Sequence, residues 1–211
     1  MQTRSKRVTD RPFHRWLRLV CAAGSRLSCE GGRLTNVIVQ QLDTDNQADL
    51  YRCDNSFTVE GELCLVAEDG RIGYTERPVP PYVKRYDPEV FDVEAYLNRP
   101  DHAAWLAYVG GQIAGRILVH ENWNRFAIIW DIAVNPPFRR QGVGRRLMEQ
   151  AIGWARQREL PGVMLESQNI NLAACRLYES CGFVLGGFDG YLYRGAMPGT
   201  REIALFWYLV F

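Results

Sequence analysis

The sequence has no apolar run of the roughly 18 residues that a membrane-spanning helix requires, and neither sign of charge dominates it. Its 211 residues include 25 Lys and Arg against 24 Asp and Glu, so the composition gives no electrostatic argument for nucleic-acid binding. Neither a membrane nor a nucleic acid is therefore expected as a partner. Apolar residues make up 47% of the chain, an ordinary share for a globular protein, which excludes a wholly disordered chain.

Patterns typical of metal and disulfide proteins are also missing. The chain has six cysteines and three histidines, with no Cys-x-x-Cys and no His partners at metal-ligand spacing, so no metal is expected. A disulfide framework would be unusual in a chain of this length, and we therefore interpret the thiols as reduced and the protein as cytoplasmic. The cysteines are Cys21, Cys29, Cys53, Cys64, Cys175 and Cys181.

Basic residues are concentrated near the N-terminus. Residues 1–30 contain seven Lys and Arg and two acidic residues, which leaves 18 basic and 22 acidic residues for the rest of the chain. Three interpretations stay open: a targeting segment, a flexible basic arm, or a start assigned too far upstream, with the true start near Leu34 or Thr35. We predict a disordered tail over 1–33 and one folded domain over 34–211.

From Thr35 onward the apolar residues recur at strand and helix periods. Turn signals at Glu68-Asp69-Gly70 and Gly110-Gly111 indicate antiparallel hairpins, and the alternation of strands with helices after residue 125 indicates a locally parallel sheet. The fold class is α/β (α+β mixed sheet): six to seven strands, antiparallel at the start, with a parallel central pair flanked by helices. The predicted strands are 37–42, 62–66, 70–79, 103–109, 112–120, 125–134, 163–166, 183–188 and 202–210, and the predicted helices are 47–52, 142–159 and 172–181.

Between the first hairpin and the central strands lies a segment without a clear period. Prolines Pro78, Pro80 and Pro81 are expected to end the hairpin, because proline cannot donate to a strand ladder. Residues 82–100 are predicted to be irregular with one helical turn. The acidic residues of this segment are Asp87, Glu89, Asp92 and Glu94.

The segment with the clearest chemistry runs from Arg139 to Gly144, between a strand and a helix. The first amides of a helix lack internal acceptors, and the helix dipole makes that end partly positive. The two glycines leave room for an anion, and Arg139 and Arg140 add charge. The sequence therefore predicts a phosphate or pyrophosphate site. It is neither a Walker loop nor the dinucleotide fingerprint, because neither pattern is present.

The same residues carry a family resemblance. Arg-x-x-Gly-x-Gly after the strand residues 131–134, followed by an amphipathic helix, resembles the acetyl-coenzyme A signature of the GNAT superfamily of N-acetyltransferases. Downstream, the stretch from Asn171 through Leu177-Tyr178 to Gly182-Phe183 is similar to the later motif of that superfamily. The resemblance implies the GNAT fold and acetyl-coenzyme A as cosubstrate. The positions it assigns to cofactor binding are Ile132, Ala133, Val134, Arg139, Arg140, Gln141, Gly142, Val143, Gly144, Asn171 and Tyr178.

A narrower resemblance concerns the streptothricin acetyltransferases, resistance enzymes that acetylate an amine on the β-lysine part of that antibiotic. Segments similar to theirs occur on both sides of the central strand, and a similar region occurs early in the chain. Those segments are Ser56-Phe57-Thr58, Asn122-Trp123-Asn124, 130–134, 165–169 and Phe206-Trp207-Tyr208.

Three residues are candidates for catalysis. By resemblance, Tyr178 donates a proton to the leaving thiolate, whereas its helical spacing taken alone favours a core residue. Asn171 fits both a contact with the cofactor and a simple N-cap. Asp131 and Glu166 end neighbouring strands of the predicted parallel pair, so both side chains are expected at one crevice. Either is the base or an anchor for a cationic substrate, unless it is neutralised by Arg125 or Arg116.

Aromatic and acidic residues near the central strand are candidates for substrate binding. Trp123 and Trp130, together with Tyr108 and Tyr191, offer cation–π faces for an ammonium group. Glu121 is a further candidate carboxylate.

The expected function is that of an acetyl-coenzyme A-dependent N-acetyltransferase acting on a small cationic antibiotic, with the β-lysine moiety of streptothricin as the best match. An acetyltransferase for an aminoglycoside, polyamine or protein amino group stays open, as does a non-catalytic acyl-coenzyme A sensor. Whether the protein forms a homodimer is also left open.

Overall fold

The structure, a computed structural model, describes residues 36–87 and 89–211, so the predicted tail 1–33 lies outside the described residues. The strands in the described part are β1 (Val37–Gln41), β2 (Phe57–Glu68), β3 (Arg71–Lys84), β4 (His102–Val109), β5 (Gln112–Glu121), β6 (Ala127–Val134), β7 (Gly162–Gln168), β8 (Val184–Asp189) and β9 (Ala204–Val210).

The α-helices of the described residues are α1 (Val93–Asn98), α2 (Val143–Gln157) and α3 (Leu172–Ser180). Short 3-10 helices occur at Gln47–Arg52 and Pro136–Phe138. Among the residues described, none of the helices has the length and apolar character needed to cross a membrane.

The mixed α/β fold predicted from the sequence is confirmed. Seven strands form one sheet in the order β1-β4-β5-β6-β7-β9-β8, while β2 and β3 form a separate antiparallel hairpin. Within the large sheet β6 and β7 run parallel, and the other neighbouring strands pair antiparallel.

The hairpin of β2 and β3 is longer than the sequence suggested. Its turn is at Asp69-Gly70 as expected, with both residues at positive φ, but β3 continues through Pro78, Pro80 and Pro81, so the prediction that the prolines end it was wrong. The reason is that β3 has a strand partner on one side within the described residues, and the last two prolines fall at a break in register. Prolines are tolerated at such edges and bulges because no ladder hydrogen bond is lost there.

The core lies on both faces of β4 and β5. Trp105 and Ala107 face one apolar cluster, which includes Leu147 of α2, whereas Leu106 faces a second cluster with Leu50. The alternation follows from the period of two along a strand. Because the middle of β5 is buried on both faces, residues 113–119 form a rigid base for the neighbouring strand β6.

The parallel pair separates soon after it forms. Strand β6 pairs with β7 from Ala127 to Ile129, and no pairing of these strands is found beyond that point in the described chain. At the same place Trp130 is an extra residue in the ladder with β5, since Leu118 pairs with Asp131 and Val119 with Ile129. Such a bulge bends the strand and re-aims its side chains. The gap that opens between β6 and β7 is where the cleft described below lies.

A buried ion pair holds the bulged strand in place. Arg116 of β5 donates from Nε to Asp131 Oδ2 at 2.7 Å and from Nη2 to Asp131 Oδ1 at 3.2 Å. Its Nη1 donates to the carbonyl of Leu50 at 2.8 Å, so the guanidinium also ties the 3-10 helix to the sheet. The two side chains are 5% and 14% exposed. An ion pair this enclosed leaves an uncompensated charge when one partner is removed.

We therefore expect Asp131→Asn to lower the free energy of unfolding by about 3 kcal/mol, because Arg116 then keeps a buried charge without its counter-ion. Urea denaturation of Arg116→Met, of Asp131→Leu and of the variant that carries both substitutions gives the coupling between the two residues. The double variant should lose less than the two single losses combined, by about 1 kcal/mol or more. Strictly additive losses would show that the pair does not act as a unit.

Candidate active site

A cleft of about 270 Å³ opens where β6 and β7 separate. Its walls come from both strands, from the start and middle of α3, and from the segments that flank the β2–β3 hairpin. The structure thus brings six of the predicted site residues together around one cleft. The predicted residues that line the cleft are Trp130, Asp131, Ile132, Glu166, Asn171 and Tyr178.

Glu166 is the lining carboxylate on β7. It accepts a hydrogen bond from the Tyr193 hydroxyl and makes no ion pair with any residue in 36–87 or 89–211. Burial raises the pKa of Glu166 above its ordinary value, and the hydrogen bond from Tyr193 partly offsets that rise. A carboxylate with a raised pKa that faces a cleft is suited to accept a proton near neutral pH.

Tyr193 was missed by sequence reasoning, which named Tyr191 instead. Both lie in the connection between β8 and β9, where the Asp189 carboxylate accepts from the amides of Tyr191 at 2.7 Å and Leu192 at 3.2 Å. This turn leaves Tyr191 73% exposed and away from the residues that line the cleft, while Tyr193 reaches Glu166. No spacing in the sequence distinguishes the two tyrosines, because the contact joins a residue of this connection to the distant strand β7.

Asp131 lines the cleft, and its carboxylate is not free. Arg116 engages both of its oxygens, which was the alternative left open. A carboxylate whose two oxygens both accept from one guanidinium is a weak anchor for a second cation. The assignment of Asp131 as catalytic base or substrate anchor is therefore corrected: its contacts give it a structural role beside the cleft.

Tyr178 of α3 is 4% exposed and lines the cleft. Its ring packs against Phe183 and Trp207, with centroids 6.3 Å and 6.1 Å apart. Burial raises the pKa of Tyr178, and the nearby Cys175 and Glu166 raise it further. The hydroxyl therefore stays protonated at neutral pH. The core role and the site role weighed for this residue are compatible, because the ring is packed while the residue still borders the cleft.

Asn171 combines two roles in a similar way. Its side-chain oxygen accepts from the Ala174 amide at 3.3 Å, which makes it the N-cap of α3. It also lines the cleft. The N-cap alternative is thus observed, and contact with a cofactor stays a prediction.

The loop before α2 has the backbone of an anion site. Arg140 and Gly142 have φ values of 62° and 84°, and Gly142 is the N-cap of α2 without a side-chain cap. A Cβ at Gly142 would meet nothing within 4 Å, so the position is open to a ligand. At Gly144 a Cβ would lie 3.0 Å from Leu177, so this glycine also allows α2 and α3 to pack closely.

Arg139 does not face the anion site as predicted. Its Nε donates to the Val134 carbonyl at 2.8 Å, and Nη2 donates to the Ser56 carbonyl. These two nitrogens thereby brace the loop against β6 and against the residue before β2. The prediction that Arg139 binds a phosphate is therefore corrected, because its side chain holds the loop in place. Arg140 is exposed at the loop surface.

The end of β6 presents an unpaired edge to the cleft. Beyond Ile129 no strand of the described chain pairs with β6 on the β7 side, so main-chain groups of 132–134 on that edge are available to a ligand. The carbonyl of Val134 is the exception, since Arg139 occupies it. This geometry agrees with the predicted contact of Ile132, Ala133 and Val134 with a cofactor, which stays a prediction.

Two residues predicted to bind the substrate lie near the start of β6, at the end opposite to the cleft. Trp123 is 90% exposed in the turn that precedes the strand, whereas the cleft lies beyond Ile129. Glu121 is at the end of β5 near the same turn, where Arg125 is 3.3 Å and Arg158 3.8 Å from its carboxylate. The assignment of Trp123 and Glu121 to substrate binding is therefore corrected. A turn between two antiparallel strands lies at the opposite edge of the sheet from the carboxyl end of the second strand.

Tyr108 is likewise not part of the cleft. Its hydroxyl donates to Asp49 Oδ2 at 2.9 Å. Burial and the Asp49 carboxylate raise the pKa of Tyr108 to about 12.

The segment after β3 is a second wall that the sequence did not predict. Tyr86 lines the cleft, and its hydroxyl donates to Glu202. Lys84 Nζ donates to the other Glu202 oxygen at 2.6 Å. These bonds join the segment to the start of β9 and so hold Asp87 and Glu89 at the cleft.

A family model and similar proteins of known name both match an acetyltransferase family. A model of the acetyltransferase (GNAT) family matches residues 71–183. Streptothricin acetyltransferase A of Bacillus subtilis (strain 168) is 40% identical over 175 residues, which cover 82% of this chain and 100% of that protein.

Two solved structures are similar over most of the chain. One is a proposed streptothricin acetyltransferase from Bacillus anthracis (strain Ames) in complex with acetyl-coenzyme A, with a TM-score of 0.77 and 41% identity, covering 83% of this chain and 100% of that chain. The other is nourseothricin acetyltransferase, with a TM-score of 0.71 and 31% identity, covering 83% of this chain and 99% of that one.

The contact between Tyr193 and Glu166 predicts a measurable titration. Because burial raises the pKa of Glu166 and the Tyr193 hydrogen bond lowers it, Tyr193→Phe should move the Glu166 titration to higher pH. Carbon-13 NMR of the side-chain carboxyl measures this shift. Tyr191→Phe, the same change in the same loop, should leave the titration where it is in the unaltered protein. A downward shift in Tyr193→Phe would contradict the geometry.

Proposed function

This chain belongs to the acetyltransferase (GNAT) family, and we propose that it transfers the acetyl group of acetyl-coenzyme A to an amine on the β-lysine part of streptothricin, giving resistance to that antibiotic. The observation that carries the proposal is the 40% identity to streptothricin acetyltransferase A across the full length of that protein. The cleft is consistent with it, because its lining carboxylates suit a cationic acceptor.

The anionic part of the donor is assigned to the loop before α2. The exposed amides at the start of this 15-residue helix and the open Gly142 position suit a pyrophosphate. The exposed Arg140 adds positive charge, while Arg139 keeps the loop attached to β6. The open edge of 132–134 then lies along the arm that carries the thioester, and its amides supply the donors for the carbonyl oxygen.

Glu166 is assigned as the base. An ammonium must lose a proton before its nitrogen can attack, and Glu166 is a carboxylate with a raised pKa that no arginine or lysine of the described residues neutralises. Tyr193 fixes the carboxylate by hydrogen bonding to it. Asp131, paired with Arg116, has no part in this step.

Tyr178 is assigned as the acid. The ammonium first loses one proton to Glu166, which passes it to solvent. As the amine nitrogen then bonds to the acetyl carbon and the carbon–sulfur bond breaks, Glu166 takes the second nitrogen proton and the hydroxyl proton of Tyr178 goes to the leaving sulfur. Solvent returns a proton to Tyr178 as Glu166 releases its own. Burial keeps the Tyr178 hydroxyl protonated until the sulfur leaves.

Recognition of a cation is assigned to the cleft mouth. Of the four acidic residues in segment 82–100, Asp87 and Glu89 line the cleft, whereas Asp92 is the N-cap of α1 and Glu94 lies in its first turn. Together with Glu166 they give the mouth a negative potential that favours an ammonium-bearing acceptor. Trp130 adds an aromatic face beside them.

The cytoplasm is the proposed location. The four cysteines in the described residues are all free thiols, as in proteins of a reducing compartment.

The proposed function is tested by acetyl-coenzyme A turnover against streptothricin, an aminoglycoside, spermidine and an N-terminal peptide, with thiol release as readout and the acetylated position found by mass spectrometry. We expect streptothricin to give the highest kcat/KM, with acetylation on β-lysine. A higher kcat/KM for any other acceptor would replace the proposal, and binding of acetyl-coenzyme A without turnover of any of them would indicate a sensor.

The loop assignment predicts the effect of a side chain at Gly142. Gly142→Glu should weaken acetyl-coenzyme A binding about tenfold or more, because the new carboxylate occupies and repels the phosphate position. Isothermal titration calorimetry measures this. Gly111→Glu is the matched control, since Gly111 also has positive φ and open space but lies in the β4–β5 turn. Equal affinity of the two folded variants would contradict the assignment.

The acid assignment predicts a kinetic split. Tyr178→Phe should lower kcat by about 10²–10⁴-fold, because the proton is needed mainly in the transition state, and should change the KM for either substrate little. Steady-state kinetics measures both constants. A Tyr178→Phe enzyme with full kcat would remove this residue from the mechanism.

A further inference from the structure

A second cavity, of about 340 Å³, adjoins the cleft and is here called the outer cavity. Asn55, Tyr86 and Glu89 line both. An acceptor that places its reacting amine near Glu166 can therefore extend past these three residues into the outer cavity. Its other walls come from the end of the 3-10 helix and the residues after it, from the segment after β3 and from β5. These residues are Tyr51, Arg52, Cys53, Asp54, Arg85 and Arg116.

The arginines that line the outer cavity already have carboxylate partners. Each arginine has a carboxylate within ion-pair distance, so none is left to attract an anion. The pairs are Arg52 with Asp49 at 2.7 Å, Arg85 with Asp54 at 3.4 Å, and Arg116 with Asp131 at 2.7 Å. The remaining charged lining residue is Glu89, which makes no ion pair with any residue that the structure describes. The unmatched charge of the cavity is thus negative.

Glu89 is nevertheless held in place. Its Oε1 accepts a hydrogen bond from Trp130 Nε1 at 2.6 Å. Trp130 is fixed in turn by the bulge in β6 and by the ring of His120, whose centroid is 5.6 Å away and which stacks on His102 at 5.0 Å. A single hydrogen bond uses one oxygen of the carboxylate, and the other is available at the junction of the two cavities.

We propose that Glu89, positioned by Trp130, binds a second ammonium group of the acceptor and so makes the enzyme selective for diamines. This deepens the proposed function and rests on it. Glu166 accepts a proton from the reacting amine and cannot at the same time hold another cation there. β-Lysine carries amino groups at positions 3 and 6, so when one of them faces Glu166 the other requires a separate anionic partner. Glu89 supplies that partner, and the outer cavity receives the chain that carries it.

The first test is the KM of the enzyme for streptothricin. Glu89→Gln should raise KM about tenfold, the value of a typical charge-assisted hydrogen bond, and leave kcat within about twofold, because the contact is equal in the ground and transition states. Trp130→Phe, which removes the indole donor and keeps an aromatic ring, should raise KM by a smaller factor. Glu94→Gln, an exposed carboxylate on α1, is the matched control and should behave as wild type.

The second test uses amides that differ in one amino group: 3,6-diaminohexanamide, 3-aminohexanamide and 6-aminohexanamide, each measured as substrate or as competitive inhibitor against streptothricin. Wild type should prefer the diamine over both monoamines by about tenfold, and Glu89→Gln should show no preference. An equal preference in the two proteins, or an unchanged KM for streptothricin in Glu89→Gln, would overturn this proposal. Failure of the proposed function would differ, since wild type would then not turn over streptothricin.

Discussion

The separation of β6 from β7 beyond Ile129 is the constraint on which the site depends. The two strands pair in parallel for three residues, and the bulge at Trp130 then turns β6 away. Because the middle of β5 is buried on both faces, the bend in β6 cannot be relieved by movement of the strand behind it. The result is one cleft bordered by β6, β7, Asn171 and Tyr178 of the α3 segment, and the segment after β3. A donor and an acceptor can approach each other there from two sides of the sheet.

The second constraint is that the two carboxylates at the carboxyl ends of these strands have different partners. Asp131 is held by both arms of Arg116, so its charge stabilises the bulged strand and is not available for chemistry. Glu166 has a phenol as its partner, and burial raises its pKa. Two groups of the same type thus acquire different roles from their neighbours. The same argument extends to Glu89, whose partner is an indole and not a cation.

Most of the fold was predictable because its signals are local. Turn dipeptides and the apolar face of α2 lie within short windows, and they predicted the hairpins and the parallel pair. What failed depends on contacts between distant segments. Arg139 could be seen as a loop cation but not as a brace to Ser56, and Tyr193 could not be distinguished from Tyr191. Trp123 was misplaced because it lies in the turn before β6, whereas the cleft lies at the other end of that strand.

The central claim, that Glu166 takes the proton of the attacking amine, is tested most directly by the pH profile of kcat in Glu166→Gln. With saturating acetyl-coenzyme A and acceptor, wild type should show an acidic limb that reflects the raised pKa of Glu166. The variant should lose most of kcat, by about 10²-fold or more, together with that limb, while its affinity for acetyl-coenzyme A stays unchanged. A variant that keeps wild-type kcat and the same acidic limb, with only a higher KM for the acceptor, would contradict the account.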